Sequence, residues 1–137
     1  MNISDVMTRD PATLDVMSTA ADAALMMRER GIGDVLVTDG DQLRGIVTDR
    51  DIVVRAVAEN RNPVGVTVGE ICSDDVTTLT PNDSVSDAVK LMSARALRRL
   101  PVVEDGRPVG IVSLGDLAVE QDRESALGQI SAAPPTT

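Results

Sequence analysis

Two short blocks of this chain set a hydroxyl three residues ahead of a carboxylate. Gly45-Ile46-Val47-Thr48-Asp49-Arg50-Asp51 pairs Thr48 with Asp51, and Gly110-Ile111-Val112-Ser113-Leu114-Gly115-Asp116 pairs Ser113 with Asp116. At that spacing each side chain can accept from the other residue's backbone N–H, which starts a helix. The same groups could also hold a ligand. From the residues alone capping is the favoured role, and the two roles are compatible. Capping leaves the shared Gly-Ile-Val unexplained, and close strand packing would account for it. Arg95, Arg98 and Arg99 form a second cluster. They could clamp a phosphate, or they could be a solvated helix end, where cations suit the dipole.

What must position these residues is a repeat. Residues 3–54 align with residues 68–119 without a gap at an offset of 65, and 13 of the 52 pairs are identical. Thr13/Thr78, Leu14/Leu79, Asp22/Asp87, Met27/Met92, Val37/Val102 and Asp51/Asp116 are among them. Two units of this length are expected to share one core about an approximate twofold axis. In each copy a short helical turn (Asp5-Val6-Met7 or Glu70-Ile71-Cys72) leads to a brief strand, Ala12-Thr13-Leu14 or Thr77-Thr78-Leu79. A helix follows, with Ala20, Ala23, Ala24 and Met27 or Val85, Ala88, Val89 and Met92 on one face. Thr19 to Asp22 and Ser84 to Asp87 resemble caps, and Gly31 suits the end of the first helix. Two strands around an Asp-Gly turn come next, at Asp39-Gly40-Asp41 and Asp105-Gly106. A second helix opens at Thr48 or Ser113. The predicted boundaries are 1–58 for repeat 1, 59–67 for a linker and 68–122 for repeat 2. A C-terminal extension covers 123–137, with Ser125 to Ile130 able to continue a helix before a loose end.

Composition excludes several functions. The chain has 137 residues, no Phe, Tyr, Trp or His, and one cysteine. Aliphatics and methionine must fill the core, and no aromatic platform exists for single-stranded nucleic acid. Without histidine, imidazole acid–base chemistry and most zinc sites are gone. Eleven acids against seven bases give −4 over residues 1–65, and eleven against six give −5 over residues 66–137. Both halves would repel a phosphate backbone at long range. Lone Cys72 has no internal disulfide partner and fits a reducing compartment. No segment approaches the ~18 apolar residues of a membrane span. The expectation is a cytoplasmic protein with no nucleic-acid or membrane partner, no metal and no required cofactor.

The two G-I-V-[TS]-x-x-D blocks, followed by Ile52 and Leu117, and the run Arg99-Leu100-Pro101-Val102-Val103-Glu104-Asp105-Gly106 resemble the cystathionine-beta-synthase (CBS) domain family in its tandem form, the Bateman module. The resemblance covers residues 3–119. It implies an α/β (α+β) fold of two pseudo-twofold-related repeats, each strand-helix-strand-strand-helix, packed sheet to sheet. It also implies two clefts for adenosine nucleotides and dimers in which two modules form a flat disc. In nucleotide-binding relatives the Asp of the block holds ribose hydroxyls, and the Thr or Ser contacts phosphate. Basic residues before the second strand also contact phosphate. Carried over, one site holds Ser113, Asp116, Arg98 and Arg99 with Pro11, Ala12 and Thr13 nearby. The other holds Thr48 and Asp51 with Val76, Thr77 and Thr78 nearby. Copy one departs from this pattern. It has Gly33-Asp34 where copy two has Arg98-Arg99, it places Asp49 inside its block, and Leu36 replaces the usual proline. The Ser113/Asp116 site is therefore expected to be the better one.

Three functional classes follow. The first is a stand-alone regulatory module that binds AMP, ADP or ATP and signals to an effector protein. The second is a ligand-free dimeric scaffold. The third, an enzyme, finds little support without His, a reactive Cys or a metal cluster. A homodimer is expected, covering apolar helix faces such as Ala20/Ala23/Ala24 and Val85/Ala88/Val89.

Overall fold

A computed structural model of the chain describes residues 1–121. The C-terminal extension expected at 123–137, including the helix expected at Ser125 to Ile130, lies outside the described residues. The offset of 65 recurs element by element. Helix α1 (Ala20–Arg30) matches α4 (Val85–Arg95), and strand β3 (Asp34–Asp39) matches β5 (Arg99–Glu104). Strand β4 (Gln42–Thr48) matches β6 (Arg107–Ser113), and helix α2 (Asp49–Ile52) starts where α5 (Leu114–Gln121) does. Both long helices carry the expected N-cap hydroxyl, Thr19 and Ser84, accepting from the N–H of Asp22 and Asp87. Both end in a left-handed residue, Gly31 at φ 64° and Ala96 at φ 54°.

The described residues fall into two compact units, neither of which is one continuous stretch. The first holds residues 1–10, 77–105 and 109 onward, and the second holds 11–76 and 106–108. Each has its own three-stranded sheet. In the second unit β2 (Thr13–Asp15) runs parallel to β3, with Thr13 opposite Leu36, and β3 runs antiparallel to β4. In the first, β1 (Thr8–Arg9) pairs antiparallel with β6, Thr8 opposite Ile111, and β5 lies on the far side of β6.

The apolar residues form two clusters, not the single shared core that the repeat length suggests. Ala20, Ala23, Met27, Val35, Val37, Val47 and Ile52 are joined by Val66, Val68 and Ile71. Leu79, Val85, Ala88, Met92, Leu100, Val102, Val112 and Leu117 are joined by Ile3. The physical reason is an exchange of lead-in segments. Residues at the start of repeat 1 complete the core that holds most of repeat 2, and helix α3 (Val68–Ile71), at the start of repeat 2, completes the core that holds most of repeat 1. Burying each such aliphatic is worth about 1.5–3 kcal/mol, so the exchange lets an aromatic-free chain close two small cores.

The lead-in turns sit slightly earlier than expected, as a 3-10 turn at Ile3–Asp5 and as α3, which carries its own Thr67/Glu70 capping box. The strand expected at Thr77-Thr78-Leu79 shrinks to a single parallel bridge, Leu79 to Val102. Pro101 explains this. In copy one the Leu36 N–H donates to the Ala12 carbonyl at 2.9 Å. The proline at the matching position has no N–H to give.

Candidate functional site

Each hydroxyl–carboxylate pair stands where the second strand of a hairpin, β4 or β6, turns into a helix. The Thr48 N–H donates to Asp51 Oδ2 at 2.9 Å, and the Asp51 N–H donates to Thr48 Oγ1 at 3.1 Å. Ser113 and Asp116 make the same reciprocal bonds, both at 3.1 Å. All four residues are half-buried. The capping role read from the sequence is thus real in both copies. It uses one oxygen, Oδ2, of each carboxylate.

The preceding glycines answer to close packing. A Cβ on Gly45 would lie against the Ser73 backbone carbonyl and 2.8 Å from Cys72 Sγ. A Cβ on Gly110 would lie 2.6 Å from Met7 Sδ and 3.0 Å from the Thr8 carbonyl oxygen. Ser73 and Thr8 are related by the offset of 65, and they pair with Ile46 and Ile111, which are related in the same way. The Gly-Ile-Val run is therefore where an exchanged lead-in segment crosses a hairpin. Burial pushes the Cys72 thiol above its ordinary range, Asp74 and Asp51 push the same way, and a backbone hydrogen bond and Arg44 oppose them. The residue is a small packing element and not a poised nucleophile.

Residues 98 and 33 sit at matching places beside the blocks. The Leu114 N–H donates to the Arg98 carbonyl at 2.7 Å, and the Asp49 N–H donates to the Gly33 carbonyl at 3.0 Å. Arg98 and Arg99 are exposed at the start of β5. Arg95 Nη1 reaches Thr77 Oγ1 at 3.4 Å, so this arginine turns to Thr77 of its own unit. Ser113, Asp116, Arg98, Arg99, Thr77 and Thr78 belong to one unit, and Thr48, Asp51, Pro11, Ala12, Thr13 and Val76 to the other. Each unit thus carries one capping box, and Pro11, Ala12 and Thr13, expected beside Ser113 and Asp116, fall in the other unit, as do Thr77 and Thr78 with respect to Thr48 and Asp51.

One residue of consequence is missing from the sequence reading. Arg55 stands four residues after Asp51, a spacing that joins opposite charges on a helix. Its Nε lies 3.8 Å from Asp51 Oδ1, and its Nη1 donates to the Ile71 carbonyl at 3.1 Å. The matching position in copy two is Glu120, so repeat 2 has no such cation at this place. Among the described residues no group of three or more His, Cys, Asp or Glu could hold a metal ion. No described helix is long and apolar enough to cross a membrane.

Known proteins agree with this architecture. A Bacillus subtilis protein, CBS domain-containing protein YhcV, is 39% identical over 128 residues, covering 93% of this chain and 90% of its own. The crystal structure of Hypoxic Response Protein I with two coordinated zinc ions superposes with a TM-score of 0.79 at 32% identity, covering 88% of this chain and 98% of that one. The CBS domain pair of protein MJ0100, in complex with 5-methylthioadenosine and S-adenosyl-L-methionine, superposes at 0.77 with 27% identity, covering 91% and 98%. The CBS domain profile matches residues 3–58 and 68–122, and with two such domains the chain belongs to the CBS domain family.

Proposed function

We propose that this CBS pair is a regulatory module that binds an adenosine-containing ligand, best at the Ser113/Asp116 half-site, and passes the bound state to a partner protein. The observation that carries this reading is the half-buried Asp116. One of its oxygens caps α5, and the other accepts no hydrogen bond among the described residues. A carboxylate with a spare acceptor suits a ribose diol, and the Ser113 hydroxyl, with the side chain of Arg98, whose carbonyl accepts from the Leu114 N–H, suits a phosphate. A solved relative that holds two adenosyl compounds supports the ligand class. The role is binding without turnover, in the cytoplasm. Sensing then requires that the ligand favour one conformation over another.

Self-association belongs to the same proposal, but on a surface different from the one expected. Ala20, Ala23, Val85 and Ala88 are 0–5% exposed and serve the two cores. Ala24 of the expected face is exposed, and among the exposed apolar side chains Val53, Val54 and Val57, each 46–57% exposed, lie together on the π-helical continuation of α2. Covering this surface with a second copy gives a homodimer. Isothermal calorimetry with AMP, ADP and ATP tests the ligand reading, because saturable binding that disappears in Asp116→Ala is expected. Flat thermograms for all three at millimolar concentration would favour a second reading, a ligand-free scaffold. The Arg55 guanidinium beside Asp51 favours that reading for its own half-site.

A further inference from the structure

Each unit covers its core with helices, and the two helical layers differ on their outer sides. In the second unit α1 packs beside α2. Ala20, Ala23 and Met27 of α1 and Ile52 of α2 turn into one apolar cluster, so the opposite sides of these helices make one outer surface. Ala24 is exposed there, and Leu25, Val53, Val54 and Val57 are 44–57% exposed. In the first unit α4 packs beside α5, but the matching surface is polar. At the offset of 65 Lys90 stands in place of Leu25 and Asp122 in place of Val57. Lys90 is exposed, with exposed Ser86 and Ser93 one turn before and after it.

The outer side of α1 also carries a symmetric charge pattern. Asp22, Leu25 and Arg28 follow one another at steps of three, on one row of the helix surface. All three are exposed. A second copy of this helix, laid antiparallel with Leu25 on the axis, sets each Asp22 opposite an Arg28. A twofold contact requires such a pattern, because residue i meets j wherever j meets i. The matching row of α4 is Asp87, Lys90 and Ser93. Laid against itself it sets ammonium on ammonium, and laid against α1 it buries the ammonium against Leu25 without a partner.

We propose that two copies of this chain associate through the α1–α2 surface of the second unit on each, Leu25 against Leu25, and that the α4–α5 surface takes no part. This rests on the self-association reading above and gives it an orientation. The leucine and the valines supply the apolar contact. The two Asp22–Arg28 pairs fix the antiparallel register, and Lys90 rejects the head-to-tail alternative.

Disulfide trapping on the whole chain reads the orientation. Leu25→Cys and Lys90→Cys are exposed changes at matching positions, and the unsubstituted protein, whose sole cysteine is Cys72, is the control. Under mild oxidation Leu25→Cys should give a linked dimer and Lys90→Cys should stay unlinked. The two variants, incubated together before oxidation, should give links between two residues 25 and none between 25 and 90, read by peptide mass spectrometry. Arg28→Glu should weaken the dimer at least tenfold in sedimentation, and Lys90→Glu should leave it unchanged. Links between 25 and 90, or a dimer that links through neither position, would overturn the orientation and leave self-association standing. A monomer mass for the unsubstituted protein at micromolar concentration would remove both.

Discussion

Replacing Gly45 by Ala tests whether the Gly-Ile-Val run exists for close packing. The new Cβ would press on the Ser73 backbone carbonyl and on Cys72 Sγ, and a carbonyl in a paired segment cannot rotate away. Ser73 is held to Ile46 by two hydrogen bonds, 3.0 Å and 2.9 Å. Pushing the segment off weakens both, at about 1 kcal/mol each, on top of about 1–3 kcal/mol for overpacking. The expected loss is about 3–5 kcal/mol, a large part of the ~5–15 kcal/mol typical of a domain. Gly110→Ala meets mainly the flexible Met7 side chain, with the Thr8 carbonyl at 3.0 Å, so a loss of about 1–2 kcal/mol is expected. Gly65 has nothing within 4 Å and serves as the control, with Gly65→Ala near zero. Urea unfolding followed by circular dichroism reads all three. A Gly45→Ala variant within 0.5 kcal/mol of the control would refute the reasoning, because packing would then not explain the glycine. Adding Cys72→Ala should recover only part of the loss, since the carbonyl remains.

Ala96→Gly should stabilise the protein by about 0.5–1 kcal/mol, because relief of a left-handed alanine exceeds the added chain entropy; Gly31→Ala should do the reverse in the same urea assay. Asp116→Ala and Asp51→Ala should each cost about 1 kcal/mol through loss of the cap, whatever they do to ligand binding. Cys72 should react with iodoacetamide far more slowly in the folded protein than in urea, with its rate rising only above the ordinary thiol range, since burial raises its pKa. Glu70 has a lowered pKa, from the Thr67 backbone bond first and Arg61 next. Its contribution to stability is therefore present above the ordinary carboxylate range and lost as pH falls through the lowered value, and Glu70→Gln should flatten that part of an acid titration. Val57→Glu should turn a dimer into a monomer by light scattering, and a dimer that survives would place the interface elsewhere.

The repeat, the element order, the caps at Thr19, Thr48, Ser84 and Ser113 and the end at Gly31 were legible because each depends on residues within a few positions of one another. The exchange of lead-in segments was not. Ile3, Val6 and Met7, or Val66, Val68 and Ile71, are too few to show a period, and nothing local says which core they join. The shortened strand at Leu79 needed the register to show that Pro101 faces Thr77 with no donor. The alanine faces of α1 and α4 were assigned to a dimer because one amphipathic stripe looks alike whether it meets its own sheet or another chain. Of the candidate sites, the two boxes and Arg98 were visible in sequence. The hold of Arg55 on Asp51, and the place of Asp49 beside Gly33, required the backbone geometry.

The block Gly-Ile-Val-[Thr/Ser]-x-x-Asp concentrates three demands that elsewhere fall on separate segments. Its glycine admits the exchanged segment, its valine, Val47 or Val112, fills a core at 0% exposure, and its last residue caps the following helix. The block would therefore persist whether or not a copy binds a ligand, since folding alone requires it. What varies between copies is the residues around it that folding leaves free: Gly33 for Arg98, Asp49 for Leu114, Arg50 for Gly115 and Arg55 for Glu120. Ligand choice in this chain should therefore be read from those pairs, together with Asp34 for Arg99, and not from the Gly-Ile-Val, the hydroxyl and the Asp that the two copies share.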